Sequence, residues 1–142
     1  METLKFSTSI KASREKVWQV LWNDETYRKW TAVFSEGSHA VSDWKEGSEI
    51  KFLGPDGDDG MFSVIETKIP NEQMSFRHLG EIKNGVKETK DWEGTMEKYF
   101  LTEANGITEL RVEIGMNEEY VKYFADTFPK ALEIVKQLSE TD

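Results

Sequence analysis

A chain of 142 residues carrying Lys+Arg 18 against Asp+Glu 27 has the length of one domain and a net charge of -9, which works against nucleic acid and anionic membrane surfaces as partners. It has no cysteine, which excludes disulfides, Cys-ligated zinc and thiol catalysis. The N-terminal Met1-Glu2-Thr3-Leu4-Lys5-Phe6 lacks the apolar run of a signal peptide and no stretch reaches membrane-span length, so a cytoplasmic protein with no membrane partner is expected.

Leu4, Phe6 and Thr8 alternate with Lys5, Ser7 and Ser9 ahead of Ile10, which predicts a first strand. The period then changes. Ser13 reads as an N-cap, Glu15 sits where the helix dipole favours an anion, and Val17, Trp18, Val20, Leu21 and Trp22 form a broad apolar face. A second short helix is expected from Asp24, taken as its cap, through Tyr27 to Trp30. Strand patterns follow over His39 to Trp44, Glu49 to Leu53, Met61 to Ile69, Met74 to Leu79, Trp92 to Thr102 and Ile107 to Gly115. Turn residues separate them: Glu46-Gly47-Ser48, Pro55 to Gly60, Pro70-Asn71, Asn84-Gly85 and Asn105-Gly106. Asn105-Gly106 suits both positive-φ positions of a type I′ turn, so the last two strands should form a tight hairpin. Gly80 to Asp91 reads as a long polar loop.

From Asn117 to about Leu138, Val121, Phe124, Phe128, Leu132, Val135 and Leu138 recur at three- and four-residue steps. Pro129 lies inside this pattern. A new helix starting there would have Phe128 as its N-cap, with no side-chain oxygen to offer, so a single kinked helix is predicted. In the preceding hairpin Leu110, Val112 and Ile114 alternate with Glu109, Arg111 and Glu113, giving a sheet with one buried face that needs a partner. The expected architecture is α+β: a curved antiparallel sheet of about six to seven strands around one long C-terminal helix, with two short helices after the first strand. Residues 1–142 are expected to form one domain.

That order of elements resembles the helix-grip fold of the START and pollen-allergen (SRPBCC) superfamily. The segments Ala12 to Trp18, Asp24 to Trp30, Ser42-Asp43-Trp44-Lys45-Glu46-Gly47 and Val64-Ile65-Glu66 leading to Pro70 are similar to its branch homologous to the activator of the heat-shock-protein-90 ATPase. Phe128, Leu132 and Val135 stand where that branch usually has Trp-x-x-x-Leu-x-x-Leu, with Phe128 in place of the tryptophan. Gly47-Ser48 likewise replaces the family's paired glycines. The resemblance implies a heat-shock chaperone as partner; a small apolar ligand and a monomer or weak dimer are also expected.

Candidate chemistry is sparse. An EF-hand loop counted from Asp56 would need a ligand at Gly60, glycine at Met61 and Glu at Thr67, so Pro55 to Gly60 reads as a solvated turn. His39 and His78 are the only histidines, and neither a metal nor a cofactor is expected. His78 shares strand parity with Met74 and Phe76, which points it into the same apolar space. Asp43 and Glu66 lie within strand-like segments and are expected on the solvent face. No Ser/His/Asp signature, phosphate-cradling loop or dinucleotide fingerprint is present, so no catalytic residue is assigned.

The aromatic residues either fill a solid core or line a cavity. The favoured reading is a non-enzymatic domain holding a small apolar or amphipathic ligand between sheet and C-terminal helix. Tyr27, Trp30, Phe52, Phe62, Phe76, His78, Val112, Phe124, Phe128 and Leu132 are its expected lining, with Pro129 loosening the helix near the entrance. The alternatives are a co-chaperone-like modulator of a heat-shock-protein-90 ATPase and a cyclase- or hydrolase-type enzyme of the same superfamily.

Overall fold

The computed structural model describes residues 2–90, 95–116 and 118–141. Strand β1 (Glu2–Ile10) is followed by helices α1 (Arg14–Trp22) and α2 (Asp24–Thr31). Then come β2 (His39–Val41), β3 (Glu49–Leu53), β4 (Gly60–Ile69), β5 (Gln73–Lys83), β6 (Val86–Thr89), β7 (Met96–Ala104) and β8 (Ile107–Met116), and last helix α3 (Glu118–Glu140). The strands form one antiparallel sheet in the order β1-β8-β7-β5-β4-β3-β2, with β6 as an eighth strand beside β5. No described helix is long and apolar enough to cross a membrane.

Local chemistry accounts for most boundaries. Ser13 Oγ accepts from Lys16 N–H at 3.2 Å and starts α1. Asn23 then ends α1, its N–H donating to Gln19 O, and its own carbonyl accepts Tyr27 N–H at 2.8 Å to open α2. Asn23 is thus the cap of α2 and Asp24 lies inside the first turn, where it pairs with Arg28 at 3.0 Å. At the last hairpin Asn105 and Gly106 take φ of 56° and 78°, as a type I′ turn requires.

Two strand predictions change, and the start of a third falls outside the described residues. β2 stops at Val41, because the Ser42 hydroxyl accepts Trp44 N–H and donates to Glu49 O, turning the chain instead of extending it. The expected loop over Gly80 to Asp91 is mostly a ladder: β5 runs on to Lys83, Asn84 and Gly85 make a second positive-φ turn, and β6 pairs back from Lys83↔Val86 to Gly80↔Thr89. All four residues of β6 are exposed, so it has no apolar alternation to read. The strand expected from Trp92 is seen from Met96; Trp92, like Asp91 and Asn117, lies outside the described residues.

The core is aromatic at its centre. The Trp22 ring meets Trp18, Trp30, Trp44, Phe76 and Tyr99 at centroid separations of 4.9 to 6.5 Å. Helix α3 runs unbroken through Pro129 as one helix. Its C-terminal two thirds bury Phe128, Ala131, Leu132 and Val135, with Phe128 stacked on Phe6 at 5.1 Å and against Phe34 at 5.3 Å. Before Phe128 the burial weakens: Val121 and Phe124 are half-buried, and Tyr120 and Tyr123 are 49% and 46% exposed. The helix therefore grips with one end and overhangs with the other.

Candidate ligand-binding cavity

Beneath the overhang lies a cavity of about 980 Å³. Met61 of β4, His78, Glu81, Ile82 and Lys83 of β5, Glu97 of β7, Ile114 and Met116 of β8, and Tyr120, Tyr123 and Phe124 of α3 line it, with Asp59, Asn84 and Thr95 from the connections. Strand topology explains the space. β7 pairs with β5 only from Gln73 to Arg77, and β6 takes over the same edge from Gly80, so the sheet divides where the cavity sits. A register shift between Phe62 and Ser63 adds a local bend in the β4–β5 ladder at the same level.

A buried polar chain lies at the cavity wall. Ser63 Oγ and His78 Nδ1 are 2.6 Å apart, His78 Nε2 is 3.2 Å from Glu97 Oε1, and the Tyr99 hydroxyl donates to Glu97 Oε2. A carboxylate accepts, so His78 presents its Nε2–H to Glu97 and, in the neutral imidazole, Nδ1 accepts the Ser63 hydroxyl. Burial pushes the phenols of Tyr27 and Tyr99 well above the usual tyrosine range, and the negative charge of Glu97 raises both further. The chain thus runs from hydroxyls and imidazole toward one carboxylate.

This is not the arrangement of a nucleophilic triad. Ser63 is fully buried and does not line the cavity, so its hydroxyl has no bound molecule to attack. Asp43 and Glu66 are exposed, as their solvent-face reading expects, and Glu66 pairs with Arg77 at 3.1 Å. His39 Nδ1 sits 3.1 Å from Gly37 O, away from the cavity. Among the described residues no group of acidic and histidine side chains is arranged to hold a metal ion, the turn at Asp56 to Gly60 included.

Of the residues expected to line a site, His78 and Phe124 border this cavity. Tyr27, Trp30, Phe76, Val112, Phe128 and Leu132 are instead packed in the core, where α1, α2 and the C-terminal part of α3 close over the middle of the sheet. Phe52 is half-buried, its ring edge-on to Phe76 at 5.2 Å. Phe62 alternates away from Met61, pairs with Gly80 and lies under the Lys87 ammonium at 5.4 Å. Pro129 borders a separate crevice of about 140 Å³ with Phe6, Thr8 and Leu132, so it is not at the cavity mouth. Glu97 and Ser63 went unnoticed in the sequence, although parity would have found them: Glu97 alternates in phase with buried Tyr99 and Leu101, and Ser63 with buried Ile65.

The family described as Activator of Hsp90 ATPase homolog 1-like protein matches residues 11–138. No curated protein matches the chain by sequence. Among solved structures, the solution structure of the Aha1 dimer from Colwellia psychrerythraea superposes with a TM-score of 0.76 at 23% identity, over 99% of this chain and 97% of that one. Protein CV1439 from Chromobacterium violaceum gives 0.72 at 16% identity over 100% of both chains. CalU16 from Micromonospora echinospora gives 0.68 at 14% identity, over 96% of this chain and 75% of that one. At these identities the likeness is one of fold.

Proposed function

The chain belongs to the Activator of Hsp90 ATPase homolog 1-like family, and from that premise we propose that it is a non-enzymatic binding domain that holds a small amphipathic molecule under the N-terminal turns of α3. The observation that carries the reading is the cavity of about 980 Å³, which is at the upper end of the range that takes small organic ligands. Its apolar wall of Met61, Ile82, Ile114, Met116 and Phe124 would bury a hydrocarbon or aromatic body, while Glu97 offers a polar end. Such a site combines non-directional burial with a few fixed polar contacts.

Native mass spectrometry of the purified chain and a thermal-shift screen of lipids and aromatic polyketides test this. A ligand at about 100 times its Kd stabilises the fold by about 2.7 kcal/mol. Several degrees of shift with a bound mass is the expected result, and a flat screen with no bound mass would overturn the proposal.

A second reading follows from the family description, that of a chaperone-ATPase modulator. Adding the chain at saturating concentration to a heat-shock-protein-90 homologue and finding its ATPase rate unchanged would remove it.

A further inference from the structure

The polar chain at the cavity wall ends on an acceptor, the carboxylate of Glu97. Ser63 spends its hydroxyl proton on His78, His78 spends its Nε2–H on Glu97, and Tyr99 spends its hydroxyl proton on the same carboxylate. Glu97 closes the chain as the common acceptor of His78 and Tyr99. A carboxylate offers about four lone-pair sites, so two incoming hydrogen bonds leave acceptor capacity on a side chain that is 18% exposed and in the cavity wall. The charges around it have one prevailing sign. Among the described residues Asp59, Glu81 and Glu97 line the space against one lining ammonium, Lys83, which is 75% exposed and lies 3.8 Å from Glu81.

We propose that this cavity selects protonated amines carried on an apolar body, with the ammonium N–H groups donating to Glu97 and the body lying against Met61, Ile82, Ile114 and Met116. The inference rests on the binding reading above and gives it a ligand class. A carboxylate ligand would meet Glu97 with like charge, which costs free energy in a partly desolvated site. An ammonium makes a charge-assisted hydrogen bond there, the strong kind.

The test is calorimetric titration of the full chain at neutral pH with decylammonium, decanoate, 1-decanol and decyltrimethylammonium, each below its aggregation concentration. Decylammonium should bind at least about tenfold tighter than decanoate, a difference of about 1.4 kcal/mol, with decanol between them. Glu97→Gln should bring decylammonium and decanol to within about twofold of each other. If that variant does not fold, the trimethyl probe decides the matter in the unaltered chain, since it has the same charge and no N–H: it should bind about tenfold more weakly than decylammonium. Equal binding of all four probes, tighter binding of decanoate, or equal binding of the two cations would overturn this proposal and leave the cavity reading standing. Binding of none would overturn the cavity reading itself, and this proposal with it.

Discussion

Phe124 and Phe128 are one helical turn apart on α3, and truncating each to alanine separates core from cavity. Phe128 is 2% exposed, stacked on Phe6 at 5.1 Å and tilted against Phe34 at 5.3 Å. Removing on the order of 150 Å² of buried apolar ring at about 25 cal/mol per Å² costs about 4 kcal/mol, and Phe→Ala core changes run about 3–5 kcal/mol once the void is included. Phe124 is half-buried with one side on the cavity, so Phe124→Ala should cost only about 1–2 kcal/mol. Urea unfolding followed by tryptophan fluorescence measures both, and the thermal midpoints should fall by roughly 10–15 °C and by less than about 6 °C. Decanol affinity should respond in the opposite order, weakening about three- to tenfold in Phe124→Ala and staying within about twofold in folded Phe128→Ala. Equal destabilisation by the two changes, or loss of decanol binding in Phe128→Ala alone, would refute the division of α3 into a gripping end and an overhanging end.

The buried tyrosines and the β5–β6 ladder give two more tests. Tyr27 and Tyr99 hold their protons more tightly folded than unfolded, so above about pH 10, the usual tyrosine value, the unfolded chain releases protons that the folded chain keeps and stability falls as pH rises. Denaturation midpoints should therefore decline from about pH 10 upward, less steeply in a Tyr27→Phe, Tyr99→Phe double variant; equal slopes would show that these phenols do not drive the decline. At Gly80 an added Cβ would collide with the Glu88 carbonyl and come 2.9 Å from Thr89 Cα, both backbone atoms of β6. Gly80→Ala should thus cost about 1–3 kcal/mol and strip hydrogen-exchange protection from Val86 to Thr89, and an unperturbed exchange pattern would argue against the close pairing.

Much of the fold is written locally. Ser13 with its hydroxyl on Lys16, the alternation from Leu110 to Ile114, the positive-φ pair Asn105-Gly106 and the three- and four-residue spacing from Val121 to Leu138 are each decided within a few residues. The exceptions are local rules competing with one another: β6 is a fully exposed strand held by its turn and ladder, and the Ser42 hydroxyl cuts β2 short. Even the tie of His78 to apolar space was legible, because strand parity fixes which face a side chain takes.

What the sequence could not rank was which apolar residues fill volume and which surround it. Phe124 and Phe128 share a helix face and a residue type, and Phe76 and His78 share a strand face, yet in each pair one packs in the core and the other borders the cavity. The difference is set by what arrives from elsewhere in the chain. α1, α2 and Phe6 close over the middle of the sheet, whereas β6 and β7 divide the edge of β5 at the other end and leave space under α3. The polar chain has the same origin, since Ser63, His78, Glu97 and Tyr99 come from three strands and meet only through register. Periodicity determines the direction in which each side chain points; only the assembled sheet and helices determine whether anything is there to meet it.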